Sequence, residues 1–434
     1  MRLLCNPTQL LQGNISAPKS KSHSIRAIIV ALLSTGTSNI IDALQASDID
    51  DALRVCQDLG ANIHHHANTT QLHSPGVPLH NNTNTIYTGS SGITTRFILP
   101  TLGLRKNHQE IVIVDSSEQM RQRPIEPLVN ALRTLGLTIK YVEQENSLPI
   151  AVSGQLQGGK TTIDGTSSQY LSALLLNLPC CPSDSEITVK NLQERPYIDL
   201  TLQWLNKYQI QYTEQRDKDH TIFYIPGKQR YIAMNNTIAG DYSSASYVIA
   251  AATMIPGKVI LNGLDINDRQ GDKKLIELLQ TMGANIEVNN DHLIINGGHR
   301  LKGIDINAND IPDLLPTLAV IGTYAEGKTT LSHVKHARIK ETDRIHSMCE
   351  GLRAMHATVK ETDDGMIVHQ SRLIGATVKG YDDHRTVMAL SLVGMLAEGT
   401  TTIIDAEAIN KTYPKYISTM ASVGAQMEVI DNAQ

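Results

Sequence analysis

Apolar positions along the chain follow a pattern that returns several times. In the segment DALRVCQDLGANI (51–63), apolar residues recur every three to four positions, a glycine follows, and a short strand-like run comes next. Such spacing is typical of an amphipathic helix, and a left-handed glycine commonly ends a helix before a strand. Closely similar copies lie at 127–139, 275–288 and 416–429. Weaker copies lie at 198–212 and 348–359, with Tyr208 and His356 in place of the glycine.

A second pattern consists of a polar turn, a helix that is apolar on all sides, and a strand rich in Thr, Ile and Val. A helix without a polar face must be buried on every side. The copies follow one another at intervals of 67 to 76 residues, which predicts six α/β units of about 72 residues each, three in each of two domains. They begin near Ser24, Ser91, Ser167, Ser243, Asp313 and Asp383.

Length and composition agree with this organisation. A chain of 434 residues is longer than one hydrophobic core usually organises, so two domains are expected. The net charge of -5 argues against a nucleic-acid-binding surface over the whole molecule, and one Trp and two Phe argue against stacking platforms for bases. The longest apolar run, 387–397, is about half of a membrane-spanning helix. Neither a nucleic acid nor a membrane is therefore an expected partner.

The cysteines and histidines add no metal or disulfide chemistry. Five cysteines, an odd number without a CxxC pair, indicate reduced thiols and a cytoplasmic protein. The N-terminal segment lacks the apolar core and cleavage site of a secretory signal. The three consecutive histidines at 64–66 are predicted to lie in a polar loop, without partners at ligand spacing. No metal and no other cofactor is predicted.

Small or polar residues stand at the head of each apolar helix. Ser and Asp are good N-caps, and capping alone is one explanation for them. Helix N-termini also bind anions through free N–H groups and a partial positive charge. Basic residues near the heads of an acidic chain favour this second explanation, and together they predict two small anionic substrates bound between two domains. These basic residues are Lys21, Arg26, Arg96, Arg121, Arg123, Lys340, Arg344, Arg385 and Lys411.

The segment HARIKETDRI (336–345) concentrates charge, since five of the seven residues from Arg338 to Arg344 are charged. A solvated helix face with ion pairs is one explanation, and a site for a multiply charged ligand is the other. Glu341 in this segment and Asp313 in NDIPDLLP could carry protons if their surroundings separate their pKa values. Helix capping explains Asp313 equally well.

Several motifs, in one order along nearly the whole chain, resemble the 5-enolpyruvylshikimate-3-phosphate synthase family. The resemblance implies an α/β (α+β) fold, a two-domain inside-out α/β barrel of six similar βαβαββ-type units, three per domain. Residues 19–238 would form the N-terminal domain, residues 1–18 with 239–434 a discontinuous C-terminal domain, and the active site would lie in the inter-domain cleft. The motifs are PKSKSHSIRA (18–27), RQRPIEPLVNALRTLG (121–136), SSQYLSALLL (167–176), RPYIDLTL (195–202), GDYSSASYVIAAA (240–252), RIKETDRI (338–345), DDHRTVMAL (382–390) and INKTYPKY (409–416).

The resemblance also implies an activity. The family transfers the enolpyruvyl group of phosphoenolpyruvate to the 5-hydroxyl of shikimate 3-phosphate by addition and elimination, and releases inorganic phosphate. This carboxyvinyl transfer belongs to the shikimate pathway, which leads to chorismate and the aromatic amino acids, and the family is the target of glyphosate. The two anionic substrates would be the partners, and a monomer is expected.

Site residues are carried over from the matching motifs. Asp313 is the expected proton acceptor and Glu341 the expected proton donor, with Lys21 as a further catalytic residue and the alternative donor. The residues expected at shikimate 3-phosphate are Lys21, Ser22, Arg26, Ser167, Ser168, Gln169, Tyr197, Asp313, His336 and Lys340. Those expected at phosphoenolpyruvate are Lys21, Gly92, Arg123, Gln169, Arg344, Arg385 and Lys411.

Some positions depart from the family pattern. Glu194 replaces the usual serine before RPY, so no phosphate contact is assigned to it, and His336 replaces a common asparagine. Ile93 replaces threonine beside Gly92. A β-branched apolar residue there is expected to narrow the pocket and reduce sensitivity to glyphosate, which an Ile93→Thr variant would reverse.

Two other functions compete with this interpretation. The related enzyme that transfers enolpyruvyl to UDP-N-acetylglucosamine normally carries a reactive loop cysteine, and no cysteine lies between Gly92 and Arg133. A non-catalytic ligand-binding homologue is the second, and the presence of Lys21, Asp313 and Glu341 argues against it. An assay of phosphate release with both substrates separates the three.

Overall fold

The computed structural model describes residues 1–218 and 220–430. Its contacts divide the chain into two compact units. Lys19–Ile238 forms the first, here called the N unit, and Met1–Pro18 joins the chain from Ala239 onward in the second, the C unit. Each unit has its own contiguous hydrophobic core. The chain therefore leaves the C unit after 18 residues and returns to it at Ala239.

The elements are named in chain order. The helices are α1 (Lys21–Leu33), α2 (Ser47–Asp58), α3 (Gly92–Thr101), α4 (Glu118–Arg121), α5 (Glu126–Thr134), α6 (Ser168–Asn177), α7 (Arg195–Lys207), α8 (Tyr242–Met254), α9 (Lys274–Met282), α10 (Leu315–Tyr324), α11 (Arg344–Ala354), α12 (His384–Leu396) and α13 (Tyr416–Ser422). The strands are β1 (Arg2–Cys5), β2 (Leu11–Ser16), β3 (Ser34–Ile41), β4 (Asn62–His66), β5 (Thr69–Ser74), β6 (Thr85–Tyr87), β7 (Val112–Asp115), β8 (Leu137–Tyr141), β9 (Ile150–Gly154), β10 (Gly159–Asp164), β11 (Ser185–Lys190), β12 (Thr213–Arg216), β13 (His220–Ile225), β14 (Tyr231–Ile232), β15 (Asn236–Thr237), β16 (Gly257–Asn262), β17 (Asn285–Val288), β18 (His292–Gly297), β19 (Asp305–Asn307), β20 (Lys328–Ser332), β21 (Val359–Thr362), β22 (Gly365–His369), β23 (Thr377–Lys379), β24 (Thr401–Ile404) and β25 (Met427–Ile430).

The sheets repeat one topology. Each has a parallel pair at one edge, and two further strands continue antiparallel from it. In the N unit the orders are β14-β3-β5-β4 (with β15 also on β3), β6-β7-β9-β8 and β10-β11-β13-β12. In the C unit they are β2-β16-β18-β17, β19-β20-β22-β21 and β23-β24-β1-β25. Across the described residues this gives three sheets per unit, so the predicted repeat of six α/β units is confirmed.

The apolar helices lie inside the units. In the N unit these are α1, α3 and α6, with α3 packed against both others. In the C unit α8, α10 and α12 pack against one another. All 13 residues of α8 are buried, as expected of a helix that has no polar face to turn to water. The prediction of buried helices from the uniform apolar pattern is confirmed.

Left-handed residues end the amphipathic helices. Among the weaker copies, His356 takes the glycine's place with φ of 65°. The assignment of Tyr208 to that role was wrong, because Tyr208 has φ of -92° and the left-handed residue is Gln209, with φ of 57°. In the four closer copies a glycine takes the left-handed conformation after the helix, with φ between 91° and 110°: Gly60, Gly136, Gly283 and Gly424.

The predicted position of the histidine triplet was also wrong. Residues 64–66 are exposed and belong to strand β4, which pairs antiparallel with β5 across a short turn. Backbone pairing, rather than side-chain polarity, decides the conformation there. Within the described ranges no group of three His, Cys, Asp or Glu side chains is arranged to hold a metal. Within the same ranges no helix has both the length and the apolar character that a membrane span requires.

Candidate active site

Polar caps begin the buried helices. Ser91 and Ser167 cap α3 and α6, and Asp383 caps α12, as predicted. The starts predicted near Ser24 and Ser243 are also found there, with Ser20 as the cap of α1 and Asp241 as the cap of α8. A short 3-10 turn, Pro312–Leu314, leads into α10 instead of a side-chain cap. A cap satisfies only some of the free N–H groups at a helix head, so donors remain for a ligand.

Lys21, the first residue of α1, is held by a buried acid of the N unit. Its Nζ lies 3.0 Å from Oδ2 of Asp48, in the first turn of α2. The Asp48 side chain is 4% exposed. Its other oxygen, Oδ1, is buried and accepts no hydrogen bond. This ion pair fixes the lysine ammonium at the head of α1.

Arg26 is a buried cation surrounded by neutral acceptors. Its guanidinium donates to Thr201 Oγ1 at 3.0 Å and to the carbonyl oxygens of Ser22 and Tyr197 at 3.1 and 3.2 Å, and it lies over the ring of Phe97. Burial lowers the pKa of Arg26 to about 9. This one side chain therefore ties α1 to α7 and α3.

Two more arginines meet at Gly92, the first residue of α3. A methyl group placed on Gly92 would lie 2.6 Å from a terminal nitrogen of both Arg96 and Arg123. Arg96 also donates to Gln169 Oε1 at 2.7 Å and to the Pro124 carbonyl at 2.9 Å. Gly92, Arg123 and Gln169 were each predicted to contact phosphoenolpyruvate, and the structure brings them together around Arg96.

The head of α6 is bound by a carboxylate of the chain itself. Glu194 Oε2 accepts from the backbone N–H of Ser168 at 3.0 Å and from its hydroxyl at 2.6 Å. Glu194 is 1% exposed and has a left-handed backbone, with φ of 54°. Ser168 was predicted to bind shikimate 3-phosphate, and Tyr197, three residues further along the chain than Glu194, lies in the first turn of α7.

In the C unit, one arginine links three carboxylates. Arg344 is 1% exposed and begins α11. It lies 2.7 Å from Asp383, 2.7 Å from Asp313 and 2.5 Å from Glu341. Arg385 binds the second oxygen of Asp313 at 2.7 Å. The structure therefore joins Asp313, Glu341, Arg344 and Arg385, which are up to 72 residues apart in sequence.

Opposing effects set the pKa of Asp313. Burial disfavours its carboxylate, but the positive charges of Arg385, Arg344 and Lys340 outweigh burial and hold the pKa well below its usual range. Burial likewise opposes the charge of Arg344, and Asp383, Glu341 and Asp313 raise its pKa despite that. As found here, Asp313 is a stable carboxylate and a weak base.

A second acid beside Asp313 behaves oppositely. Asp272 is 2% exposed, accepts from the Ser243 hydroxyl through Oδ2, and has no hydrogen-bond partner at Oδ1. Burial, followed by the negative charge of Asp313, raises the pKa of Asp272 to about 7. Two neighbouring carboxyls of the C unit therefore have widely separated proton affinities.

Comparison with known proteins places these residues in a family. Residues 5–420 match the model of EPSP synthase (3-phosphoshikimate 1-carboxyvinyltransferase). A 3-phosphoshikimate 1-carboxyvinyltransferase of Acetivibrio thermocellus is 41% identical over 96% of this chain and 97% of its own length. This chain belongs to the EPSP synthase family. A protein of the same name from Methanocaldococcus jannaschii is 38% identical over 98% of this chain and 99% of its own.

Solved structures share the fold. An EPSP synthase from Acinetobacter baumannii superposes with a TM-score of 0.82, covering 99% of this chain and all of the other, at 24% identity. A second structure of EPSP synthase from that organism gives 0.81, with 99% and 100% covered, at 23% identity. This likeness confirms the predicted two-domain α/β architecture of the EPSP synthase family.

The remaining predicted residues lie near the C-unit cluster or apart from it. Lys411 donates to the carbonyl of Asp382 and pairs with its carboxylate, both at 2.8 Å, beside Asp383. Lys340 ends the 3-10 segment Lys335–Ile339, in which His336 is 4% exposed. In the N unit, Arg121 pairs with Asp115 and Glu143. Ile93 packs, partly buried, against the N-unit core.

Sequence reasoning missed the acids that hold the predicted cations. Asp48 and Asp272 were not singled out, and Asp383 was noted only as part of a helix head. A carboxylate in the first turn of a helix is so common that it signals nothing by itself. Arg96 was noted as basic, but its contact with Gln169 was not predicted. For Asp383, the available signal was Arg385, two residues further along in DDHR.

Proposed function

We propose that the residues gathered in the two units serve one reaction of two anionic substrates. The chain is an enolpyruvyl transferase of the shikimate pathway, which joins phosphoenolpyruvate to the 5-hydroxyl of shikimate 3-phosphate and releases inorganic phosphate. Family membership over nearly the full length supports this function over transfer to UDP-N-acetylglucosamine and over a non-catalytic role.

The N unit is proposed to bind shikimate 3-phosphate and part of phosphoenolpyruvate. Backbone N–H groups at the heads of α1, α3 and α6 suit phosphate oxygens, and cations beside them strengthen the attraction. Lys21 and Arg26 supply charge at the head of α1. Arg123, close to Gly92, supplies a guanidinium fork at the head of α3.

The C unit is proposed to hold the rest of phosphoenolpyruvate on Arg344, Arg385 and Lys411. An anion bound there offsets the positive charges that now depress the pKa of Asp313. The pKa of Asp313 then rises toward the working range of a general base. Substrate binding thereby turns Asp313 into the acceptor of the proton from the 5-hydroxyl as its oxygen bonds to the donor's central carbon.

A second group must deliver a proton to the methylene carbon in the addition step. Elimination then removes a proton from the new methyl group and expels phosphate. Glu341 accepts a hydrogen bond from Arg344 at 2.5 Å, a contact that suits the ionised carboxylate. The alternative donor is Lys21, whose ammonium group pairs with Asp48. Both therefore stand as donors, and Glu341 first requires a proton.

The observation that carries the assignment of the base is the clamp on Asp313, whose two oxygens each bind a different arginine at 2.7 Å. Asp313→Asn is expected to lower kcat for phosphate release by about 10²- to 10⁴-fold, the usual contribution of a general base. Asp343→Asn is the matched control. Asp343 caps α11 through the N–H of His346 and pairs with Arg338, and an asparagine retains the cap.

The assay measures inorganic phosphate released from phosphoenolpyruvate in the presence of shikimate 3-phosphate or, separately, UDP-N-acetylglucosamine. Turnover only with the first acceptor is expected. Turnover only with the second would support the related enzyme, and none with either would support a binding protein. An Asp313→Asn variant with the turnover of Asp343→Asn would exclude Asp313 as the base.

We further propose a cytoplasmic monomer without nucleic-acid or membrane partners. The five cysteines are free thiols, and Cys5, Cys56, Cys181 and Cys349 are buried, which fits a reducing compartment. The net charge of -5 disfavours binding to nucleic acid. Sedimentation of the purified protein tests the oligomeric state directly.

A further inference from the structure

The head of α6 already carries an anion. The N–H of Ser168 is the first backbone donor of this ten-residue helix, and it is directed at Glu194 Oε2 at 3.0 Å. The Ser168 hydroxyl donates to the same oxygen at 2.6 Å. These are the donors that a phosphate group of the acceptor substrate would use.

Glu194 is placed unusually for a residue that only caps a helix. It stands at the N-cap position of α7, yet its side chain makes no cap bond to α7 and binds α6 instead. Its backbone is left-handed, with φ of 54° and ψ of 39°. Residues other than glycine adopt this conformation rarely, and such strain gathers at binding sites and switches.

The carboxylate and a phosphate cannot use these donors together. A backbone N–H and a hydroxyl each carry one hydrogen, so each donates a full hydrogen bond to one acceptor. A phosphate monoester carries about 1.5 to 2 negative charges near neutral pH, so it also repels a carboxylate at this distance. Binding of a phosphate at the head of α6 therefore requires Glu194 to leave.

We propose that Glu194 is a specificity-determining residue that occupies the phosphate position at the head of α6 and competes with the phosphate of the acceptor substrate. The inference rests on the proposed function, because that function assigns Ser168 to shikimate 3-phosphate. The carboxylate weakens binding of the phosphorylated acceptor without affecting recognition of the carbon ring. Rotation of Glu194 out of the left-handed region withdraws the carboxylate and relieves the backbone strain.

The test compares two ligands that differ by the phosphate. Dissociation constants of shikimate 3-phosphate and of shikimate are measured by titration calorimetry on the full chain and its variants. Glu194→Ser, which restores the serine usual in the family, is expected to tighten shikimate 3-phosphate about tenfold or more, the worth of a hydrogen bond to a charged group. Binding of shikimate is expected to stay unchanged, so the ratio of the two constants shifts by the same factor.

Two further variants control the comparison. Glu194→Gln keeps the size of the side chain and removes its charge, so it should shift the ratio in the same direction by a smaller factor. It also decides the outcome if the serine variant does not fold. Glu186→Ser removes the same charge from β11 of the N unit, where Glu186 pairs with Lys160 at 2.8 Å, and should leave the ratio unchanged.

Distinct results would overturn the inference and the proposed function. An unchanged ratio, or weaker binding of shikimate 3-phosphate in the Glu194 variants, would show that Glu194 does not compete with phosphate. Equal changes for both ligands would show that it only shapes the pocket. Wild-type protein that binds both ligands but releases no phosphate from phosphoenolpyruvate would overturn the proposed function instead.

Discussion

Arg344 shows how much one side chain can organise at the residue scale. It is almost fully buried and ion-paired to Asp383, Asp313 and Glu341. A buried charge is tolerated only when it is paired and hydrogen-bonded. The dense charge of the segment 338–344 therefore belongs to two groups of ion pairs in the C unit, one around Arg344 and one that joins Arg338, Asp343 and Glu361.

Replacing Arg344 by alanine is expected to lower the free energy of unfolding by about 3–5 kcal/mol, because it leaves buried carboxylates uncompensated. Arg338→Ala is the control. Arg338 pairs with Asp343 and Glu361, but its side chain is 22% exposed, so water can replace the lost partners. A loss near 1 kcal/mol or below is expected there. Urea unfolding followed by circular dichroism measures both, and equal losses would contradict the argument.

Asp272 makes stability depend on pH. Its folded pKa is about 7, above the value of an exposed aspartate. As pH rises from about 4 to 7, the unfolded chain loses this proton before the folded chain does, so Asp272 lowers stability, and the loss is complete above about pH 7. Asp272→Asn cannot ionise. It is expected to be more stable than the wild type by about 1–4 kcal/mol near pH 8, with a smaller difference near pH 5.

Thermal unfolding at both pH values measures that difference. Asp291→Asn is the control, because Asp291 is exposed and a hydrogen bond from His292 holds its pKa below the usual value. Its removal should give a small effect of the opposite sign. A constant difference between Asp272→Asn and the wild type across this range would show that Asp272 is ionised throughout.

Residue types in the candidate site were predictable, but their partners were not. The sequence showed cations at helix heads and two acids, Asp313 and Glu341. It did not show that Asp313 would be clamped by two arginines, because Arg344 and Arg385 lie 31 and 72 residues away. Pairing across such separations depends on packing of whole helices, which local pattern does not specify.

The heads of the buried helices are the elements to which the proposed function assigns substrate binding. At the first residue of α3, the side chains of Arg96 and Arg123 both lie directly against Gly92. Glycine suits this position because it has no side chain to collide with the two arginines, and not because of an unusual backbone conformation. The helix head can thus present both its N–H groups and two guanidinium groups in one place.

Gly92→Ala is expected to displace those guanidinium groups, because its methyl group would lie 2.6 Å from a terminal nitrogen of each arginine. The ends of flexible side chains can move, so the fold should persist. The KM for phosphoenolpyruvate is expected to rise about tenfold, as hydrogen bonds from a charged group to the substrate weaken. Steady-state phosphate release measures it.

Ser90→Ala, two residues away, adds no atoms beside the arginines and serves as the control. Ser90 donates to the Ser117 hydroxyl at 3.1 Å, in a partly buried position. A Gly92→Ala variant with the same KM as Ser90→Ala would show that Arg96 and Arg123 move without cost to substrate binding. Loss of cooperative unfolding in Gly92→Ala would show that the contact is needed for the fold itself.

The pattern of apolar and polar residues predicted the helices better than it predicted where they begin. Apolar periodicity specified the buried helices because burial of an apolar face is the main driving force for a helix to pack. The caps were placed less well: Ser20 was missed in favour of Ser24, although both are serines near one head. Which of two good cap residues is used depends on where the preceding chain enters, and that is set by tertiary contacts.

At the scale of the whole molecule, the chain crosses between units twice. Strand β1 lies between β24 and β25, and β2 pairs with β16, so residues 1–18 complete two sheets of the C unit. In the N unit, Lys19 Nζ donates to the Ile238 carbonyl at 3.1 Å, so the two ends of that unit meet. Each unit therefore has the contacts of an independent folding body, provided that the C unit keeps its first strands.

Residues 19–238 expressed alone are therefore expected to unfold cooperatively in urea. Residues 239–434 alone are expected not to, because β24 and β25 would each lose their shared neighbour and the sites of Leu3, Cys5 and Leu11, each at most 1% exposed, would become cavities. Joining residues 1–18 to residue 239 through a short flexible linker should restore folding.

The linker can be short because the Pro18 carbonyl accepts a hydrogen bond from the N–H of Asp241 at 2.8 Å, so the two chain ends already lie side by side in the C unit. Closing the chain with such a short linker costs little conformational entropy. The comparison of the C-unit chain with and without residues 1–18 isolates what two strands contribute. Cooperative unfolding of both forms at the same urea concentration would mean that the other sheets and helices alone specify the unit.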